Sequence, residues 1–164
     1  MENLLNRQPN RSASVQSFFA ALASAYAAIL LTACGATGQQ FTRAERPGNG
    51  EAVIYVYRPK QYMASARSIP ISIDNVEVGE LKNAGFVRIV AKPGHHTIQP
   101  RYGASGLDAP DIEIDVPSSR TLFVRYTIIG KPVPGISAHT AVSSMAVVGD
   151  AEAIAELKDL RESK

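Results

Sequence analysis

The sequence predicts a mainly β protein, a small antiparallel β-sandwich of about seven to eight strands with a short C-terminal helix. Three observations carry that expectation. Beyond residue 50 the apolar residues fall in short, often alternating runs, turn residues separate these runs, and only the final stretch changes to helical spacing. With 164 residues, 45% apolar and 20% charged, the chain suits one folded domain. Its single cysteine, Cys34, rules out an internal disulfide, so packing must hold the domain together. A formal net charge of +2 with Lys and Arg dispersed along the chain argues against nucleic acid as a partner, because that affinity rests on clustered cations.

Residues 1–33 read as an export signal. Arg7 and Arg11 precede a stretch from Val15 to Ala33 without a charge, a length that could equally span a bilayer. The tetrapeptide Leu31-Thr32-Ala33-Cys34 favours the signal. It resembles the bacterial lipobox, and the resemblance implies that Cys34 receives diacylglycerol, that the chain is cut before it, and that a further acyl group such as palmitate follows. Two or more acyl chains anchor a protein stably where one is marginal. The alternative is an uncleaved helix ending at Cys34. Gly35 stands where an aspartate would hold such a lipoprotein in the inner membrane, so the resemblance points to the outer membrane and its periplasmic face. Residues 34–50 then read as the lipidated cysteine and a flexible spacer, closed by Arg46-Pro47-Gly48-Asn49-Gly50.

Residues 51–148 carry the predicted sandwich. Ala52 to Tyr57 is β-rich on both faces and is placed centrally in a sheet. Ile69, Ile71 and Ile73 alternate, and Asp74-Asn75 turns them into Val76 to Gly79 as a hairpin. Phe86 to Ala91 is the next strand, and Lys92-Pro93-Gly94 turns it into His95 to Ile98. A loop spans Gly103 to Pro110. Ile112, Ile114 and Val116 then alternate with acids, and Leu122, Val124, Tyr126 and Ile128 share one inward parity. Gly130 to Gly135 reads as an irregular, proline-stiffened loop before a last strand at roughly 140 to 148. Residues 149–164 form a helix and tail, Asp150 capping it and Ile154, Leu157 and Leu160 making its apolar stripe, with Lys158 and Arg161 at its end.

Glu51-Ala52-Val53-Ile54-Tyr55-Val56-Tyr57-Arg58-Pro59, Ile71 to Asp74 with Gly79, and Lys92-Pro93-Gly94-His95-His96-Thr97-Ile98 resemble the DUF2846 lipoprotein family, a group of unknown function. The proline-glycine-histidine segment is also similar to PEGA-type and carboxypeptidase-regulatory-like sandwich modules. The resemblance covers roughly Glu51 to Ile129 and implies a small sandwich, with no catalytic residue to transfer.

Candidate chemistry is sparse. His95 and His96, with His139 as a possible third ligand, suggest a metal, but neighbours on a strand face opposite ways and cannot share an ion. His96 is expected to be half-buried, with one ring nitrogen hydrogen-bonded. Asp111, Glu113 and Asp115 share a face that could bind Ca²⁺, although a solvated face explains them better. No Gly-x-Ser-x-Gly elbow occurs. Tyr55, Tyr57 and Arg58 form the favoured possible binding surface, through cation–π or carboxylate contacts. The expected function is therefore a membrane-anchored, non-enzymatic envelope module without metal or cofactor, binding an envelope protein or polysaccharide. The competing expectation is a hydrolase or metal-dependent enzyme on a sandwich scaffold.

Overall fold

The computed structural model describes residues 35–101, 109–135 and 139–164. The signal and lipobox readings at 1–33 and Cys34 lie outside the described residues, as does most of the loop read between Gly103 and Pro110.

The central run becomes β1 (Ala52–Arg58), and every one of its residues is buried. Its lack of alternation has a plain cause: both of its faces are covered. Five strands follow in two layers: β2 (Ile69–Ile73), β3 (Val76–Leu81), β4 (Gly85–Ala91), β5 (Gly94–Pro100) and β6 (Ile112–Val116). Then come β7 (Thr121–Pro132), β8 (His139–Val148), helix α1 (Asp150–Leu157) and the short β9 (Arg161–Glu162). One sheet has the order β8-β7-β1-β4-β9 and the other β3-β2-β5-β6. The fold is thus mainly β and sandwich-like, with a single short helix near the C-terminus among the described residues. Most neighbouring strands run antiparallel, but β1 pairs parallel with β7, and β4 with β9.

Between the sheets lies an aliphatic core. Ile54, Val56, Ile89, Val124 and Tyr126 from one sheet meet Ile69, Ile71, Leu81, Ile98, Ile114 and Val116 from the other. The inward parity expected for β6 and β7 is the one observed.

Asp74 and Asn75 have φ of 50° and 67° and join β2 to β3 with Ile73 opposite Val76, as a type I′ hairpin demands. Lys92-Pro93, by contrast, does not close a hairpin: β4 and β5 belong to different sheets, so this turn carries the chain across the sandwich. Gly130 to Pro132 is strand rather than irregular loop. There β7 has outrun β1, which pairs only with Thr121 to Arg125, and β8 is its sole ladder neighbour. A proline without an N–H is tolerated where one side of the strand is open.

The C-terminal segment also differs from expectation. Gly149, extended at φ −67° and ψ 149°, occupies the N-cap, and Asp150 is the first helical residue. Asp150 and Glu152 suit the positive end of the helix dipole from within the first turn. Leu160 lies beyond the helix but is buried, and Arg161 belongs to β9, so the tail is a sheet edge.

Residues 35–45, read as flexible spacer, dock on that edge. The Gly38 N–H donates to Glu162 O at 2.9 Å, Glu162 N–H to Gln39 O at 2.8 Å, and Phe41 N–H to Leu160 O at 3.0 Å. A Cβ on Gly38 would sit 2.5 Å from the Glu162 carbonyl oxygen, so glycine is required by the close approach of two backbones. The small polar composition that looks like a linker here permits an extra sheet edge.

Candidate functional site

The favoured trio is not a surface. Tyr55, Tyr57 and Arg58 are 2%, 0% and 0% exposed, and this corrects their reading as a binding patch. Strand alternation separates them: Arg58 shares the inward side with Ile54 and Val56, while Val53, Tyr55 and Tyr57 lie on the outward side.

Each of the three fastens a different peripheral segment to β1. The Tyr55 hydroxyl accepts the Glu45 N–H at 3.1 Å, which holds the chain ahead of the domain. Tyr57 donates its hydroxyl to Glu156 of α1 at 2.6 Å. Arg58 donates to the carbonyls of Arg67 at 2.8 Å, Met63 at 3.1 Å and Ala64 at 2.8 Å, and so cradles the β1–β2 loop. Burial pushes the Tyr55 phenol up from its ordinary pKa. It does the same for Tyr57, helped by the hydrogen bond to the Glu156 carboxylate. Both hydroxyls therefore stay protonated and available as structural ties.

The outward face of the first sheet forms a second, aromatic cluster. Phe41 meets Tyr55 and Phe86 edge-on, each at 5.7 Å between ring centres, and Tyr55 stacks on Phe123 at 5.6 Å. Ala153, Leu157 and Leu160 complete the cover. Above it Arg125 donates to Glu152 at 2.7 Å and Glu156 at 2.9 Å, binding helix to sheet. The Glu152 contact in particular raises the Arg125 pKa further, so this cation is permanent.

Two of the open clefts that border the docked segment are lined by side chains of the sheet as well as by its own. One, of about 380 Å³, is lined by Phe41, Arg43, Glu45, Tyr55, Phe86 and Arg88, with Arg88 to Glu45 at 3.1 Å across it. The other, of about 430 Å³, is lined by Arg46, Pro47, Arg120, Phe123 and Ile154, among others. Arg43, Arg46, Arg88 and Arg120 are all exposed. They form a basic strip that no single run of sequence announces, since it draws on three separate segments.

The histidines part company as expected. His95 is exposed and meets Asp115 at 3.1 Å and Glu113 at 3.9 Å, which accounts for two of the three acids on that face. Asp111 pairs with Arg101 at 3.2 Å. His96 has both ring nitrogens engaged rather than one: Nδ1 lies 2.6 Å from Asp74 and Nε2 lies 2.7 Å from Lys92 O. Carboxylate and carbonyl are both acceptors, so the doubly protonated ring satisfies both. The Asp74 hydrogen bond, and secondly the Lys92 carbonyl, raise the His96 pKa. Asp74 is lowered, first by the Thr97 N–H and then by His96. The backbone of His139 lies at the start of β8, where it pairs with Pro132. Among the described residues no group of three or more His, Cys, Asp or Glu could hold a metal ion.

The geometry thus defines a sandwich whose Tyr-x-Tyr-Arg-Pro run is an internal hub. Residues 48–140 match the family described as protein of unknown function (DUF2846), and the chain belongs to that family. Comparison with curated proteins and with solved structures returns no match. The matched range contains the hub and the loop held by Arg58, whereas Glu45 and Glu156, which tie down the outward cover, lie outside it.

Proposed function

We propose that this chain is a lipid-anchored envelope lipoprotein whose sandwich acts as a non-enzymatic binding or accessory module, on the periplasmic face of the outer membrane. The carrying observation is Leu31-Thr32-Ala33-Cys34, which places the chain's single cysteine at the end of an uncharged run. Two or three acyl chains on Cys34 would hold the protein stably. Among the described residues no helix is long and apolar enough to cross a membrane.

The binding role falls to the basic strip rather than to the buried trio. Arg43, Arg46, Arg88 and Arg120 flank shallow clefts, and guanidinium groups recognise carboxylate and phosphate. An anionic envelope polysaccharide or an acidic protein segment fits that chemistry. Glu45 is paired with Arg88 at the first cleft, which suits recognition better than proton transfer.

Labelled palmitate tests the anchor. The wild type should incorporate it, and Cys34→Ser should accumulate as an unlabelled precursor that is not cut before position 34. Equal labelling of both would end the lipoprotein reading. For the strip, Arg43→Glu combined with Arg46→Glu should weaken retention of acidic envelope polysaccharide by at least about tenfold, the expected scale for losing charge-assisted pairs.

A further inference from the structure

A buried asparagine joins the start of the docked segment to the most exposed aromatic side chain among the described residues. The backbone carbonyl of Asn83 accepts the Ala36 N–H at 3.1 Å, while its side-chain oxygen accepts the Gln61 N–H at 2.9 Å. Gln61 is followed by Tyr62, which is 97% exposed. Cys34 precedes Ala36 by two residues, so its Cα lies at most about 7 Å from that of Ala36. Lipid on Cys34 would therefore leave this end of the sandwich no slack.

The loop bearing Tyr62 is held from within. Arg58 takes three of its carbonyls, the Gln61 side chain accepts the Ile128 N–H at 2.9 Å, and Ala64 is fixed at φ 53°, a conformation alanine avoids. Nothing in that scaffold uses the Tyr62 ring. Two lysines adjoin the loop and its anchor in the chain: Lys60 is exposed and precedes Gln61, and Lys82 precedes Asn83 and donates to the Lys164 carbonyl. Of the acids described here, Glu162 pairs with Lys164 at 3.0 Å, and Glu80 accepts the Ser68 hydroxyl at 2.9 Å.

We infer that the end of the domain formed by Asn83, the Gln61–Arg67 loop and Lys82, from which the part of β7 and β8 beyond Arg125 also projects, is a membrane-facing surface, with Tyr62 seated at the headgroup level of the bilayer. This rests on the lipid anchor proposed above. Tyrosine favours the membrane interface because its ring is apolar and its hydroxyl polar, and lysines beside it meet anionic headgroups. A short anchor then sets orientation as well as location. The docked segment leaves Asn83 at Ala36 and reaches Thr121, at the far end of the β1–β7 pair, by Glu45. The basic strip from Arg43 to Arg46 and Arg120 therefore lies away from the membrane-facing end and is presented to the periplasm.

The chain has no tryptophan, so one can be introduced as a sole reporter. Tyr62→Trp places it in the loop. Val76→Trp places it at a 64% exposed position beside the β2–β3 turn, at the opposite end of that hairpin from Lys82. Both full-length lipidated variants are reconstituted into phosphatidylethanolamine–phosphatidylglycerol vesicles with brominated acyl chains. Indole emission of the Tyr62→Trp variant should shift to the blue and be quenched several-fold more than that of the Val76→Trp variant. Vesicle flotation with equal or absent quenching in the two variants overturns the orientation and leaves the anchor standing. A blue shift in the Tyr62→Trp variant without bromine quenching means a protein contact and also overturns it. Absence of lipid on Cys34, read by mass spectrometry of the same samples, removes the anchor and this surface together.

Discussion

The two faces of the first sheet are both buried, but by different means. Its inward face meets a second sheet across aliphatic side chains such as Ile54, Val56 and Val124. Its outward face is closed by segments from the two ends of the domain, the strip around Phe41 and the helix α1, over aromatic rings. Sheet against sheet needs only matching apolar parity. Short segments cannot stay down on so little apolar area, and here hydroxyl and guanidinium ties from Tyr55, Tyr57 and Arg125 fasten them. The inner face is a core, while the outer one is a lid with fastenings.

The largest expected effect tests the inner face. Val124→Asp would bury a carboxylate among aliphatic side chains and should cost about 4 kcal/mol or more, enough to unfold a small domain. Arg125→Ala, its neighbour on the other face, removes two partly solvated ion pairs and should cost about 1 kcal/mol. Urea denaturation of a soluble chain from Gly35 onward measures both. The reverse order would invert the parity assigned to β7.

Next is the lid itself. Phe41 is 5% exposed against Tyr55 and Phe86, and Phe41→Ala should cost about 3 kcal/mol despite lying in a stretch of linker-like composition. Amide exchange should quicken in residues 38–41 and 160–162 before it does in β2 or β5. A stability unchanged within about 0.5 kcal/mol would return this segment to the status of a spacer. Tyr57→Phe is the subtler probe: it keeps the ring and removes the donor to Glu156, costing about 1 kcal/mol and loosening α1 while leaving β1 in place.

This contrast also explains what is legible in the sequence. Strands with one wet face, β6 above all, declare their inward side by alternation, and Asp74-Asn75 declares its turn by type. β1 reads as central because it lacks alternation, and for the same physical reason Tyr55 and Tyr57 are misread: a strand buried twice does not say which side a tyrosine takes. The signal for Arg58 is present, since it continues the parity of Ile54 and Val56 towards the interior. For Phe41 the only sign is one aromatic ring in a polar stretch. Glu156 and Asn83 carry no legible sign at all, because their partners lie 99 and 22 residues away.

The smallest effect separates ties that hold the lid from ties that only close a turn. His96 and Asp74 meet at the rim of the second sheet, where Asp74 is half-exposed, and solvent screening keeps their contribution under about 1 kcal/mol. Its pH dependence is nonetheless specific. Because His96 is raised, its contribution is whole below the ordinary histidine value of about 6.5 and is lost as pH climbs through the raised one. Because Asp74 is lowered, its contribution is whole above about 4 and is lost as pH falls through the lowered value. Stability from this pair should therefore crest between about pH 4 and 6.5. Asp74→Asn keeps a side chain that accepts the Thr97 N–H and tolerates the positive φ, but removes the charge. In that variant the His96 ring should titrate at lower pH by NMR, and the alkaline loss should flatten. The Tyr57–Glu156 tie should not follow: burial and the carboxylate hold the phenol protonated well above its ordinary range, so α1 stays fastened throughout this window. Loss of helix signal in step with His96 titration would show that rim and lid are one cooperative unit, and the division between the two faces would fail.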